Sequence, residues 1–423
     1  MKKTITLLLL LALLFLGSCS KAGTSGKIKV SFWHGTSGPI GDVLMDMIKD
    51  FEKSHPNIDI VAIPVSSYAA LSQKLMASIQ ANKQPDIAQV YESWTAKYID
   101  AEVLVSMDDM IARDPNFGET DLADFYPVFI SSNTFDGTLW SMPFNKSVRA
   151  YFYNKDAFYR AGLDPNHFPE TWEEFRHYCR LLTDQTSGSG KPERYGTNFA
   201  VNEWQFINLL HQAGGSVVDA SGQPALNSQY GLEALNFITD LIHKDNTVYT
   251  VSGYEGQNDF LAGKVAMYEG SSVSITHMRQ EPINFNMGYA PLPIHRTNQS
   301  AVSGTNIVIF KSGDTRREEA AWEFIKWFTA PEQTAEWATR TFYMPVRRSA
   351  MASATIQDFL TQYPQFRGIF EQLETAVFEP QMGAWFKARP KLKEYLEKAI
   401  SQKSDNQTAL NDAAAKFLEY INE

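Results

Sequence analysis

The chain has 423 residues and a mass of 47.7 kDa, more than one ordinary hydrophobic core accommodates, so two to three domains are expected. Hydrophobic residues make up 44% and charged residues only 20%, which excludes a disordered chain. The formal charge of −10 argues against nucleic acid as a partner, because no basic excess is available to neutralise phosphates.

The first nineteen residues read MKKTITLLLLLALLFLGSC, two lysines followed by an apolar run from Ile5 to Leu16. That run is too short for a permanent membrane span and has the layout of a secretory signal peptide, here residues 1–18. The residues Leu16-Gly17-Ser18-Cys19 resemble the lipobox of bacterial lipoproteins, in which the cysteine becomes the lipidated first residue. The expectation is therefore a lipid-anchored, extracytoplasmic protein with a short tether ending at residue 27. Cleavage removes Lys2 and Lys3, leaving 36 basic against 48 acidic residues and a formal charge of −12. Cys179 is then the sole remaining cysteine, which excludes an internal disulfide. It falls on the apolar stripe of a predicted helix with Phe175 and Leu182, as a small packed hydrophobe.

Beyond the tether, IKVSFW (28–33) alternates apolar and polar residues and predicts a half-buried strand. Ile40, Val43, Leu44, Met47, Ile48 and Phe51 recur at helical spacing until Pro56 stops them. IDIVAIPV (58–65) is a second strand, Tyr68, Leu71, Leu75, Met76 and Ile79 stripe a second helix, and PDIAQVY (85–91) is a third strand. This β-α-β-α-β order predicts a mostly parallel sheet covered by helices. SMPFNKSVRAYFYN (141–154) contains two strand-like runs around Asn145-Lys146-Ser147. Thr171 and Glu174 have capping-box spacing at the start of the next helix. Strands are then expected at 193–200, 265–270, 285–293 and 306–310, and helices at 205–212 and 231–244. Asp314 or Thr315 caps a helix whose buried stripe is Ala321, Phe324, Ile325 and Phe328. From Pro331 onward the pattern is largely helical.

Catalytic signatures are missing. There is no H-E-x-x-H, no G-x-S-x-G and no phosphate-binding G-x-x-x-x-G-K-[ST], and the run SGSGKP ends in Pro192. The eight histidines are scattered, so neither a metal site nor a cofactor is expected. Abundant carboxylates leave a glycosidase-like acid pair open. At the strand end QVYESWTA, Glu92 sits among Tyr91 and Trp94, where ligands commonly bind in open α/β sheets.

Three stretches carry a resemblance: FLAGKVAM (260–267), AAWEFIKWFTAPEQTAEW with TFYMPVRRSA (320–350), and YNKDAFYRAGLDP with TWEEF (153–175). They resemble the extracellular solute-binding proteins of ABC importers, in the family that takes sugars and glycerol phosphates. The resemblance implies an α/β fold of two lobes (type II), each a mostly parallel sheet flanked by helices, joined by hinge crossings around a ligand cleft. Crossings near Phe144–Val148 and Ala301–Gly304 then place residues 28–144 plus 302–342 in the first lobe, and 145–301 plus 343–423 in the second. It further implies a monomer that delivers its solute to permease and ATPase subunits and is not an enzyme.

SFWHGTSGPIG, QVYES, MPFNKS, GSSVSI and SAVSGTN resemble the glycerol-3-phosphate-binding group of that family, which also takes glycerophosphodiesters. Carried over position by position, this likeness marks Tyr68, Glu92, Ser147, Ser271, Gly304 and Tyr343 as ligand contacts, with Trp204 as an aromatic wall. The residue types fit: a carboxylate accepts from paired hydroxyls, and rings such as Tyr68, Trp94 and Trp204 cover a C–H face. Ser147, Ser271 and Tyr343 hydroxyls and the Gly304 N–H donate to phosphate oxygens. Two positions depart from the group. Lys393 stands where an arginine is usual, and Val201 replaces a second tryptophan, with Arg389 or Arg149 as possible substitutes for the missing guanidinium. A neutral sugar or oligosaccharide remains an alternative ligand, and a secreted glycoside or phosphodiester hydrolase an alternative of another class.

Overall fold

The computed structural model describes residues 26–184 and 191–423. Residues 1–18, expected to be a signal peptide, and Cys19 lie outside the described residues. Among those described, no helix is long and apolar enough to cross a membrane, and no group of three or more His, Cys, Asp or Glu side chains is arranged to hold a metal.

The first sheet is built from β1 (Ile28–His34), β2 (Ile58–Pro64), β3 (Ile87–Val90), β4 (Leu104–Val105), β5 (Met142–Ser147) and a late strand, Ser303–Phe310. Its order is β2-β1-β3-late strand-β4, with β5 also paired to the late strand. Helices α1 (Gly38–Ser54) and α2 (Tyr68–Gln80) make the crossovers, so β1 pairs β2 and β3 in parallel. Helix α1 buries Ile40, Leu44, Met47, Ile48 and Phe51, the stripe read from its spacing, and β3 is buried along its whole length.

The second sheet contains β6 (Arg149–Asn154), β7 (Thr197–Ala200), β8 (Val248–Val251), β9 (Met267–Ser271) and β10 (Met287–Ala290). β6 runs between β9 and β10, antiparallel to both, while β7 and β8 pair in parallel. Backbone bonds from Ala266 and Met267 to Tyr195 and Gly196 join the two parts. Two short strands, β11 (Ser300–Ala301) and β13 (Ala376–Val377), pair with each other, and between them in sequence lies the late strand of the first sheet, β12 (Ser303–Phe310).

The strand sense corrects one detail of the expectation. Both lobes are α/β, but β12 is antiparallel to β3, β4 and β5, and the centre of the second sheet is antiparallel. The reason is connectivity: β5 runs into β6 through the single residue Val148, and β12 enters its sheet from the other one, so neither follows a helical crossover. The chain thus passes between sheets at Val148 and again at Val302, both buried.

Two caps also resolve. Thr171 accepts from the Glu174 N–H at 3.2 Å, but the Glu174 carboxylate takes the Glu170 N–H rather than that of Thr171. Asp314, not Thr315, caps the helix Thr315–Phe328. Cys179 is on the buried face of α4 (Trp172–Leu182), where burial raises its thiol far above its ordinary pKa and leaves it inert. Beyond it come α5 (Glu203–Gln212), α6 (Gln229–His243), α7 (Gly383–Ile400) and α8 (Asn406–Ile421), the last two packed on α5 and α6.

Candidate functional site

A cavity of ≈ 480 Å³ opens at the C-terminal end of β3 and the N-terminal end of β12, which lie side by side because the two strands are antiparallel. Its lining comes from α2 (Ala69, Ser72, Gln73), the turn Tyr91–Trp94 and the crossing Val302–Gly304. Glu203 at the head of α5, the loop Phe378–Pro380, and the first two turns of α7 (Trp385, Phe386, Arg389, Pro390) complete it.

The Glu92 carboxylate is placed by the end of a buried strand. β3 stops at Val90, Tyr91 is extended, and Glu92 is the first residue of helix α3 (Glu92–Asp100), where the unpaired N–H groups favour a negative side chain. Its Oε1 accepts from Lys146 Nζ at 2.8 Å and from Asn306 Nδ2 at 3.0 Å. Among the described residues Oε2 has no partner, so one oxygen is anchored and the other is available to the cavity.

Aromatic rings form a continuous side. Tyr91 contacts Tyr68 and Trp94 edge-on at 5.4 and 5.2 Å, and Phe378, Trp385 and Phe386 face them. The Trp385 indole donates to Glu379 at 2.8 Å. Arg389 donates to both oxygens of Glu379, at 2.7 and 3.2 Å, and to Glu203 at 2.7 Å. Burial opposes its charge, but Glu379 and Glu203 outweigh this and hold the guanidinium above its ordinary pKa. The ionisable lining is thus three carboxylates against one guanidinium that is already doubly engaged.

Asn145 organises the floor. Its Nδ2 donates to the hydroxyls of Tyr68 (3.0 Å) and Tyr343 (3.1 Å), and its Oδ1 accepts from the Thr305 N–H (2.8 Å) and hydroxyl. Burial pushes the phenol pKa of both tyrosines upward. Gly304 lies opposite with φ of +117°, and a Cβ there would stand 1.9 Å from the Asn145 carbonyl oxygen. No other residue type fits that approach.

The structure brings Glu92, Trp94 and Gly304 to the cavity lining, with Tyr68 and Tyr343 just behind it. Ser147 is buried at the end of β5, its backbone paired with Ser303, and Ser271 ends β9 opposite Arg149. Trp204 is packed beside the lining: its indole donates to the Ala301 carbonyl at 2.7 Å and its ring lies under Arg149. Lys393 is not at the cavity. It lies a turn beyond Arg389, its side chain 48% exposed and 3.9 Å from Glu397, because only the first turns of α7 face inward. The guanidinium at the site is that of Arg389. Glu203, Glu379, Trp385 and Phe386 escaped the sequence reading because nothing in their local pattern distinguishes them from surface or core residues.

A model of the bacterial extracellular solute-binding proteins matches residues 35–335 of this chain. The chain belongs to that family. Among curated relatives, the sn-glycerol-3-phosphate-binding periplasmic protein UgpB of Pectobacterium atrosepticum is 26% identical over 355 residues, covering 81% of this chain and 79% of its own. UgpB of Yersinia pestis is 27% identical over 349 residues, covering 79% and 78%. Among solved structures, the cyclic alpha-maltosyl-1,6-maltose binding protein of Arthrobacter globiformis matches with a TM-score of 0.81 at 24% identity, covering 94% of this chain and 99% of that one. UgpB of Mycobacterium tuberculosis in complex with glycerophosphocholine matches with a TM-score of 0.81 at 23% identity, covering 94% and 98%. These matches establish the two-lobed type II fold. It is thus an extracellular solute-binding protein of the ABC-transporter class, a family whose members bind small solutes and deliver them to ABC permeases.

Proposed function

We propose that this solute-binding protein captures glycerol 3-phosphate or a glycerophosphodiester, and that the diester is the better ligand. The carrying observation is the charge of the lining: Glu92, Glu203 and Glu379 against Arg389 alone, with Arg389 bound to two of the three. A phosphate monoester dianion meets no uncommitted cation there. A diester carries a single negative charge, and a cationic head group sits favourably against Glu203, Glu379 and the rings of Trp385 and Phe386. The glycerol hydroxyls donate to Oε2 of Glu92 while the Gly304 N–H and nearby hydroxyls, those of Tyr68, Tyr343, Ser147 and Ser271, serve the phosphate once the lobes adjust around it. Trp94 covers the C–H face and Trp204 backs the wall. The relatedness to UgpB supports the glycerol part of this reading.

The same lining favours one second reading, a neutral sugar held between aromatic rings and a carboxylate. A hydrolase fits less well, since Glu203 and Glu379 are both tied to Arg389 rather than poised across a scissile bond. In the transport reading Cys19 carries the lipid anchor that keeps the receptor on the extracytoplasmic face. The expected division, 28–144 plus 302–342 against 145–301 plus 343–423, shifts at one crossing, since β5 keeps residues 145–147 in the first sheet and sets the hinge at Val148 and Val302. Solute contacts to both lobes exist only in the closed form, so binding shifts a hinge equilibrium.

Isothermal titration with glycerophosphocholine, glycerol 3-phosphate and maltose tests this. The expected order of affinity is glycerophosphocholine, then glycerol 3-phosphate, with maltose weakest. Maltose binding tightest would establish the second reading, and conversion of any ligand during incubation would establish the hydrolase.

A further inference from the structure

Lys146 is a charged residue with its side chain only 1% exposed, on the last turnless stretch of β5 before the chain crosses between sheets. A buried ammonium persists only where a counter-charge and hydrogen bonds offset the lost hydration. Here that partner is Glu92, 2.8 Å from Nζ, with the Phe129 ring 5.9 Å away. The Lys146 backbone is fixed as well, its carbonyl accepting from Met344 N–H at 2.7 Å and its strand pairing with Gly304.

We infer that Lys146 is a positioning residue that sets which charge of ligand the cavity accepts. Two features of the geometry support this. Lys146 on β5 and Asn306 on β12 both donate to Oε1 of Glu92, and Asn306 is itself held by Asn133 at 3.1 Å. The carboxylate is therefore oriented by the two crossing strands, leaving Oε2 as its ligand-facing atom. Lys146 also cancels the Glu92 charge from behind, without lining the cavity. With it, the site carries one net negative charge across Glu92, Glu203, Glu379, Arg389 and Lys146; without it, two. The inference rests on the proposal that Glu92 holds a hydroxyl-bearing solute in this cavity.

The test is titration of glycerol 3-phosphate, glycerophosphocholine and maltose into the full-length wild type, K146M and the double variant E92Q/K146M. K146M weakens all three, because Oε2 is no longer aimed. It weakens the dianion by roughly tenfold more than maltose, since a unit charge a few ångströms away in a partly buried site amounts to a kcal/mol or more. The double variant removes both charges, so the ratio of glycerol 3-phosphate to maltose affinity returns to within about threefold of wild type although both bind weakly. An equal loss for all three ligands in K146M, or no loss, would overturn the inference. If wild type binds none of the three, the ligand proposal fails. The pairing is then decided by thermal unfolding of K146M, E92Q and the double variant: non-additive losses support Lys146 as the residue that positions Glu92, and additive losses overturn it.

Discussion

The two oxygens of Glu92 have different partners, and this changes what a substitution there does. From sequence alone, Glu92→Gln removes a charged acceptor and weakens binding with the fold unaffected. In the structure it also leaves the Lys146 ammonium buried against an amide, so stability falls together with affinity. The expected outcome is a loss of about 1–3 kcal/mol in unfolding free energy and a ten- to hundredfold loss in affinity, read by chemical denaturation and titration. A second consequence concerns pH. His34 and His211 are both buried, and burial pushes each down to about 4, with the Thr36 backbone opposing it for His34, and Glu379 and the Gly215 backbone for His211. Unfolding restores an ordinary value near 6.5, so between about 6.5 and 4 the unfolded chain binds more protons and stability is lost as pH falls. Each histidine contributes up to about 3 kcal/mol of that loss. Urea midpoints measured at pH 7, 5.5 and 4.5 are expected to drop steadily, and a flat profile in H34Q/H211Q is the control; an equally steep drop in that variant assigns the effect to other groups.

At the level of elements, the paired crossing strands β5 and β12 carry the strictest backbone requirement. Gly304→Ala forces a Cβ into the Asn145 carbonyl at a φ that side chains avoid, and is expected to cost about 2–4 kcal/mol or to separate the strands. Gly41→Ala lies within α1, where a Cβ meets nothing nearer than 3.5 Å, and is expected to raise stability by about 0.5–1 kcal/mol. Melting temperatures of the two variants check both directions at once. The same elements show what a sequence discloses. The stripe of α1, the alternation in β1 and the buried run of β3 are local patterns, and they predicted the β-α-β-α-β start. Strand sense at β6 and β12 depends on where the chain leaves one sheet for another, which periodicity does not record. The cluster of Arg389 with Glu379 and Glu203 joins positions 10 and 186 residues apart, so no local motif announces it. Glu92, Trp94 and Gly304, named from the sequence, fall on the cavity lining and Lys393 does not, because a motif marks a position and not the direction in which this helix turns its side chains.

For the whole molecule, the question is what holds the cavity shut. With the lobes divided as proposed, two contacts bridge them at the mouth through Lys97 and Gln381, neither of which lines the cavity. Lys97 Nζ on α3 lies 3.7 Å from the centre of the Phe386 ring on α7, and Gln381 donates to the carbonyls of Ser131 and Thr134 at 3.1 and 3.2 Å. Opening breaks both. A cation over a ring and a pair of amide bonds are together worth about 1–2 kcal/mol at a partly exposed surface. If the open form predominates without solute, weakening the closed form by that amount raises every dissociation constant by the same factor, about 5- to 30-fold. Lys97→Ala/Gln381→Ala is therefore expected to weaken glycerophosphocholine, glycerol 3-phosphate and maltose equally, in contrast to the charge-dependent losses expected of K146M. Small-angle scattering of the double variant should need higher solute concentration to reach the compact form while reaching the same final radius. Unequal losses among the three ligands would mean that these contacts shape the cavity itself, and unchanged affinity would place the closing contacts elsewhere.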